Sequence, residues 1–167
     1  MKVLIHKTST VDREAAPGLT GLMAITVPAY KLKPKDQDET EYCHQVAMRL
    51  GLQDYAVIDN DQVPTDRKYR NAWTAVGSAI KTDMPAAREI YMTGLRKKRS
   101  EILAKTDGPM ARAKEQDDAT TEDALKIMRA KLRNLPARVD TAVTAAKTTA
   151  ALDKIATPEL KSGESIR

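Results

Sequence analysis

Apolar residues alternate with polar ones early in this chain and step by three and four later, and the change of period divides it. Val3, Leu4 and Ile5 form a short apolar run that predicts a strand over residues 2–6. Thr8 to Thr20 is polar and holds the turn signal Pro17-Gly18. From Leu22 to Tyr30 the pattern has period two, with Met23, Ile25 and Val27 on one side and Ala24 and Thr26 on the other. That predicts a second strand, with Pro28 near its end where a missing N–H matters least. Together the two runs predict a hairpin with a long turn. Asp38 to Leu50 reads as a helix capped by Asp38 or Thr40, with Tyr42, Cys43, Val46, Ala47 and Leu50 as its apolar stripe. Gly51 stands where a left-handed residue would end it. Asp54–Asp59 predicts a third strand, closed by a turn at Asn60-Asp61. Asn71–Ile80 predicts a fourth, with Ala72, Thr74 and Val76 opposite Trp73 and Ala75, and an interruption at Gly77-Ser78.

From Asp83 onward the period is helical. Asp83 serves as N-cap and Pro85 falls in the first turn, where its missing donor costs nothing. Ala87, Ile90, Tyr91, Leu95 and Ile102 make the stripe of a helix ending near Lys105. Thr106-Asp107-Gly108-Pro109 stops it or caps a following turn. A further helix starts at Thr121, where Leu125, Met128, Leu132 and Leu135 step by three and four, and Pro136 ends it or opens the next. Thr149 caps a last short helix carrying Leu152 and Ile155, which stops before Pro158, and the polar tail from Lys161 frays unless something holds it.

Composition changes this picture in three ways. The chain has 167 residues, 41% of them hydrophobic but only 4% aromatic, with no Phe. Large rings supply much of the buried area in small domains. A core without them predicts that burial is completed against a partner. The net charge of +5 is uneven: residues 1–80 hold ten Lys/Arg and ten Asp/Glu, and residues 81–167 hold eighteen and thirteen. A basic helical half opens a nucleic-acid reading. The interleaving of both signs favours a solvated helix face over that reading. Cys43 is the only cysteine, so there is no disulfide framework. The N-terminal residues lack the apolar stretch of a signal peptide. No apolar run approaches the ~20 residues that cross a bilayer, so membrane insertion is not expected.

Catalytic chemistry finds little footing. Ala75–Thr82 resembles a phosphate-binding loop only in its final Lys81-Thr82, because Ala75 and Ile80 stand where glycines are needed. Cys43 and His44 are adjacent and point about 100° apart on a helix, which is unsuited to a shared metal. Nothing in the sequence supplies either residue, or His6, with an orienting partner for nucleophilic work. Asp36, Asp38, Glu39 and Glu41 suit the positive end of a helix dipole. Asp59-Asn60-Asp61 lacks the Gly and distal Glu of a calcium loop. Arg96-Lys97-Lys98-Arg99 are consecutive, so they surround a helix and do not form one basic stripe. The reading is of a protein without catalytic residues, metal or cofactor.

The stretch Val63–Trp73 stands out. It carries the only Trp of the chain beside Arg67, Lys68, Tyr69 and Arg70. Two readings stay open: Trp73 anchors the small core while Arg67 and Arg70 pair with Asp59, Asp61 or Asp66, or Asp66, Arg67, Tyr69, Arg70 and Trp73 form an interface. The pattern Pro64-x-Asp66-Arg67-x-Tyr69-Arg70-Asn71-Ala72-Trp73 resembles that of a group of small, largely uncharacterised bacteriophage proteins from the tail or tail-fibre region of phage genomes. Ala24–Ala29, Tyr55–Asp59, Met84–Ile90 and Leu132-Arg133-Asn134-Leu135-Pro136 extend the resemblance over most of the chain. The long N-terminal loop and the break at Gly108-Pro109 depart from it. The resemblance implies a virion or assembly context and carries no catalytic residues.

The expectation is an α+β protein: residues 1–80 a small, mainly antiparallel sheet with one helix, and residues 81–167 a helical hairpin or short bundle. The expected function is non-enzymatic, a phage virion structural or assembly protein of the tail or tail fibres. It would act in the virion or in host cytoplasm during assembly, and would bind other tail or fibre proteins. Leu125, Met128, Leu132 and Leu135 are the expected helix-packing interface of a homo-oligomer, a trimer by preference. The alternative is a basic nucleic-acid-binding accessory protein.

Overall fold

A computed structural model describes residues 1–7, 23–76 and 79–164. The predicted turn at Pro17-Gly18 and the interruption at Gly77-Ser78 lie outside the described residues. The fold is α+β, and the chain divides into two compact units, Met1–Ala86 and Ala87–Arg167.

The first unit is built on a three-stranded antiparallel sheet. Strands β1 (Lys2–Lys7), β2 (Met23–Thr26) and β3 (Tyr55–Asp59) are ordered β2-β1-β3, so β1 is central. Leu4 faces Thr26 on one side and Val57 on the other; Ile5 faces Ile25 and Ala56. Val3, Leu4 and Ile5 are consecutive and all buried because both faces of β1 are covered. One face packs against helix α1 (Glu39–Arg49), where Leu4 meets Cys43 and Ala47, with Val46, Leu52, Tyr55 and Val57 around them. The other face carries Val3, Ile5 and Ile58. It is covered by Val63 and Trp73, with Met23, Ile25 and Ile80 packed at its margin. Trp73 and Ile80 come from a second sheet, the antiparallel pair β4 (Trp73–Val76) and β5 (Ala79–Thr82).

The second strand is shorter than its alternation predicts. It stops at Thr26, Val27 is exposed, and Tyr30–Leu32 forms a 3-10 turn. The Tyr30 hydroxyl donates to the Lys2 carbonyl at 2.5 Å and accepts from the Lys2 N–H at 3.1 Å, which fastens this turn to the start of β1. Helix α1 is capped by Asp38, whose Oδ2 accepts from the N–H groups of Thr40 (2.7 Å) and Glu41 (3.3 Å). At its other end Gly51 has φ +65°, the N–H of Leu52 reaches the Ala47 carbonyl at 3.0 Å, and that of Gly51 reaches Met48 at 3.1 Å. This is a Schellman ending. It swings the chain so that Leu52 packs on the helix stripe, and Leu50, expected in that stripe, is exposed.

The second unit is helical: α2 (Met84–Lys105, entering from the first unit), α3 (Asp107–Glu115), α4 (Ala119–Ala145), α5 (Thr149–Asp153) and α6 (Pro158–Glu164). Ala87, Leu95 and Ile102 are the buried positions of α2. Gly108 and Pro109 sit in the first turn of α3, where the N–H groups have no helical partner to lose. Asp117 takes φ 52° in the turn that leads to α4. Asp118 caps α4, its Oδ1 accepting from the Thr121 N–H at 3.0 Å and its Oδ2 from the Thr121 hydroxyl at 2.6 Å.

Pro136 neither ends this helix nor starts a new one: α4 runs through it. Leu125, Leu132, Leu135, Val139 and Val143 are buried on both sides of it. Their burial offsets the roughly 3 kcal/mol that an internal proline costs. Thr148, not Thr149, caps α5, through the Ala151 N–H at 3.2 Å. Past Pro158 the chain is helical again in α6, which packs on α4. Arg138 holds it there with bonds to the Ala156 carbonyl (3.0 Å) and to Glu159 (2.8 Å).

Candidate functional site

The Val63–Trp73 stretch folds as a sequence of local turns that aims its ring residues inward. Asp66 Oδ1 accepts from the Lys68 N–H at 2.9 Å, an Asx turn. The Arg70 N–H donates to the Arg67 carbonyl at 3.2 Å, and the Ala72 N–H to Tyr69 at 2.8 Å, closing a 3-10 turn over Arg70–Ala72. Strand β4 begins directly after it with Trp73. The Ala72 carbonyl accepts from the Asp83 N–H at 2.7 Å, which extends the β4–β5 ladder by one bond. Tyr69 is 1% exposed and Trp73 6%, whereas Asp66, Arg67 and Arg70 are on the surface.

The two readings of this stretch therefore divide by residue. Trp73 is a core residue, seated on Val3, Ile5 and Ile58. The cations do not pair as the core reading expects. Among the described residues no ion pair joins Arg67 or Arg70 to Asp59, Asp61 or Asp66, and Asp59 is held by Lys2 at 3.1 Å. Instead the Arg67 guanidinium carbon lies 5.7 Å from the centre of the Trp73 ring, and Lys68 Nζ lies 5.0 Å from that of Tyr69. Each cation stands over a ring face, where the quadrupole attracts it.

The remaining residues weighed for chemistry fall into structural roles. Cys43 is fully buried against Leu4, with its Sγ 3.4 Å from the Tyr30 hydroxyl. Burial, and next the thiol beside it, push the Tyr30 phenol well above its ordinary pKa. The Nδ1 of His44 lies 2.7 Å from the Tyr55 hydroxyl. His6 bonds the Thr26 hydroxyl (2.9 Å) and the Lys7 carbonyl (3.0 Å). Lys81-Thr82 ends a hairpin strand, not the strand-to-helix loop that would wrap a phosphate. Among the described residues no three His, Cys, Asp or Glu side chains converge as metal ligands, and no helix is long and apolar enough to cross a membrane.

Three clefts lined by described residues bear on function. In the first unit, one of about 430 Å³ lies at the sheet end, between Met23, Ala56 and Trp73 on its apolar side and Lys7 and Asp54 at its rim. In the second unit, Ala124, Ile127, Met128 and Pro158 line a groove of about 750 Å³ between α4 and α6. Three residues of the expected packing interface, Leu125, Leu132 and Leu135, do not line it. They are already buried in the chain taken alone, so they offer no surface to a partner. Met128 is half-buried and its neighbour Ile127 is 59% exposed.

The third cleft, about 300 Å³, lies between α3 and α4 and is lined by Asp107, Met110, Lys114, Lys126, Arg129 and Arg133. Sequence reasoning looked for cations in the Arg96–Arg99 run and missed these. Their signal was the spacing of Lys126, Arg129 and Arg133, which puts all three on one helix face. Comparison with protein-family models, curated proteins and solved structures returned no match.

Proposed function

We propose that the chain is a non-enzymatic structural or assembly protein of a bacteriophage virion, associated with the tail or tail fibres and acting through protein–protein contact. The observation that supports this is the division of the Asp66–Trp73 motif. Its rings are spent on the core, and the guanidinium groups of Arg67 and Arg70 stand on the surface without carboxylate partners among the described residues. Arg beside a rigid aromatic is a frequent composition of interface hot spots. The motif's resemblance to phage tail-region proteins supplies the setting.

Self-association through the helical unit then falls to the Ile127–Met128–Pro158 groove, since the neighbouring leucines are already buried. The test is light scattering on the full chain, followed by mass spectrometry of purified particles from cells expressing the phage genome that encodes it. A stable oligomer and recovery of the chain with tail components are expected. Replacing both cations, Arg67→Glu with Arg70→Glu, should abolish recovery with the particles while leaving circular dichroism unchanged. A strictly monomeric chain that never accompanies particles would overturn the reading.

A further inference from the structure

The α3–α4 cleft is independent of the motif and of the groove. Four of its six lining residues are cations and one is a carboxylate. Arg129 is the fixed member. Its Nη1 donates to the Thr106 hydroxyl at 2.6 Å and to Asp107 Oδ1 at 2.6 Å. Thr106 is itself fully buried at the α2–α3 junction, and its hydroxyl donates to the Leu103 carbonyl at 2.6 Å. Both hydrogens of that nitrogen are thereby used, and the guanidinium plane is held. The N–H groups of Nε and Nη2 remain as an oriented pair of donors, in the geometry that matches two oxygens of one phosphate.

Lys126 is committed elsewhere, with Nζ 3.0 Å from Glu122 and 3.2 Å from Asp123. Those two carboxylates raise its pKa and offset its charge, so it adds no net positive charge at the rim. Lys114, from the last turn of α3, and Arg133, one turn beyond Arg129, are exposed and have no polar partner among the described residues. Two unpaired cations therefore flank one that is already oriented, in a concave site and on the basic half of the chain. The Arg96–Arg99 run has no such arrangement.

We propose that this cleft binds a phosphate group, with Arg129 as the oriented fork and Lys114 and Arg133 as the flanking charges. A nucleic-acid backbone and a free phosphate anion present the same chemistry to it, and the two sources are separated by the test. The full chain would be titrated against a fluorescent short DNA duplex and, separately, against inorganic phosphate by calorimetry. The double variant Lys114→Gln with Arg133→Gln should lower affinity for whichever probe binds by about tenfold or more. If the duplex binds, the variant should also flatten its salt dependence between about 50 mM and about 200 mM by roughly two units of log–log slope. Folding would be checked by circular dichroism, and Arg96→Gln with Lys97→Gln serves as a control that should change little. Binding of the duplex that inorganic phosphate does not displace assigns the site to a polymer backbone; binding of phosphate alone assigns it to a free anion. No binding of either probe at low salt, or equal losses in the two double variants, would overturn the proposal. These results do not depend on whether the chain is found in particles.

Discussion

Trp73 and Arg67 show how two neighbours in one motif carry unequal weight. The Trp73 ring covers Val3, Ile5 and Ile58, in a unit with no other ring of that size. Trp73→Ala leaves a cavity that α1, on the opposite face of the sheet, cannot fill. Urea unfolding should show a loss of about 3–5 kcal/mol, the range for a buried Trp truncation. Arg67 is itself exposed beside the same ring, and Arg67→Ala should cost less than about 1 kcal/mol. Similar losses for the two would mean that the guanidinium is part of the core. The sequence marked the whole stretch as unusual but left its pairing open. Which cation stands over which ring depends on the turn that Asp66 sets, and periodicity carries no information about that.

Helix ends decide more here than helix interiors. The carboxyls of Asp38 and Asp118 are both held below their ordinary pKa. For Asp38 the first cause is the Thr40 backbone N–H and next that of Glu41; for Asp118 it is the Thr121 hydroxyl and then its N–H. A carboxyl with a depressed folded pKa stabilises fully above its unfolded pKa and loses that contribution as pH falls through the folded value. Helicity measured by circular dichroism should therefore decline on acidification below the ordinary carboxylate range. In the double variant Asp38→Asn with Asp118→Asn, which keeps the caps without the charge, that part of the decline should disappear. An unaltered acid profile would show that other carboxylates govern it.

Pro136 provides the opposite case, an interior residue that works against its helix. Its ring removes the donor that the Leu132 carbonyl would otherwise meet. Pro136→Ala should raise stability by about 1–3 kcal/mol in thermal or urea unfolding. A loss instead would show that the ring's own packing outweighs the missing bond. Local rules read Pro136 as a boundary because they weigh the proline alone. The helix continues because Leu132 and Leu135 before it, and Val139 and Val143 after it, are buried together.

At the scale of the whole molecule, the proposed self-association requires an apolar surface that the fold leaves uncovered. Ile127 is the large exposed hydrophobic residue that lines the α4–α6 groove. Ile127→Glu should convert an oligomer to a smaller species in light scattering without loss of helicity, whereas self-association unchanged by it would place the contact elsewhere. The chain's own pattern was sufficient for the first and third strands, the presence but not the length of the second, the left-handed Gly51, the start and end of α2 and the α+β class. These follow from residue-by-residue stereochemistry and the period of burial, which act over a few neighbours. It was insufficient for the two covered faces of β1, the passage of α4 through Pro136, the burial of Leu125, Leu132 and Leu135 within the chain, and the meeting of Lys114 with Arg129 and Arg133 in one cleft. Each of those depends on which distant segments exclude water from one another, and that free energy belongs to the packed chain and to no stretch of it.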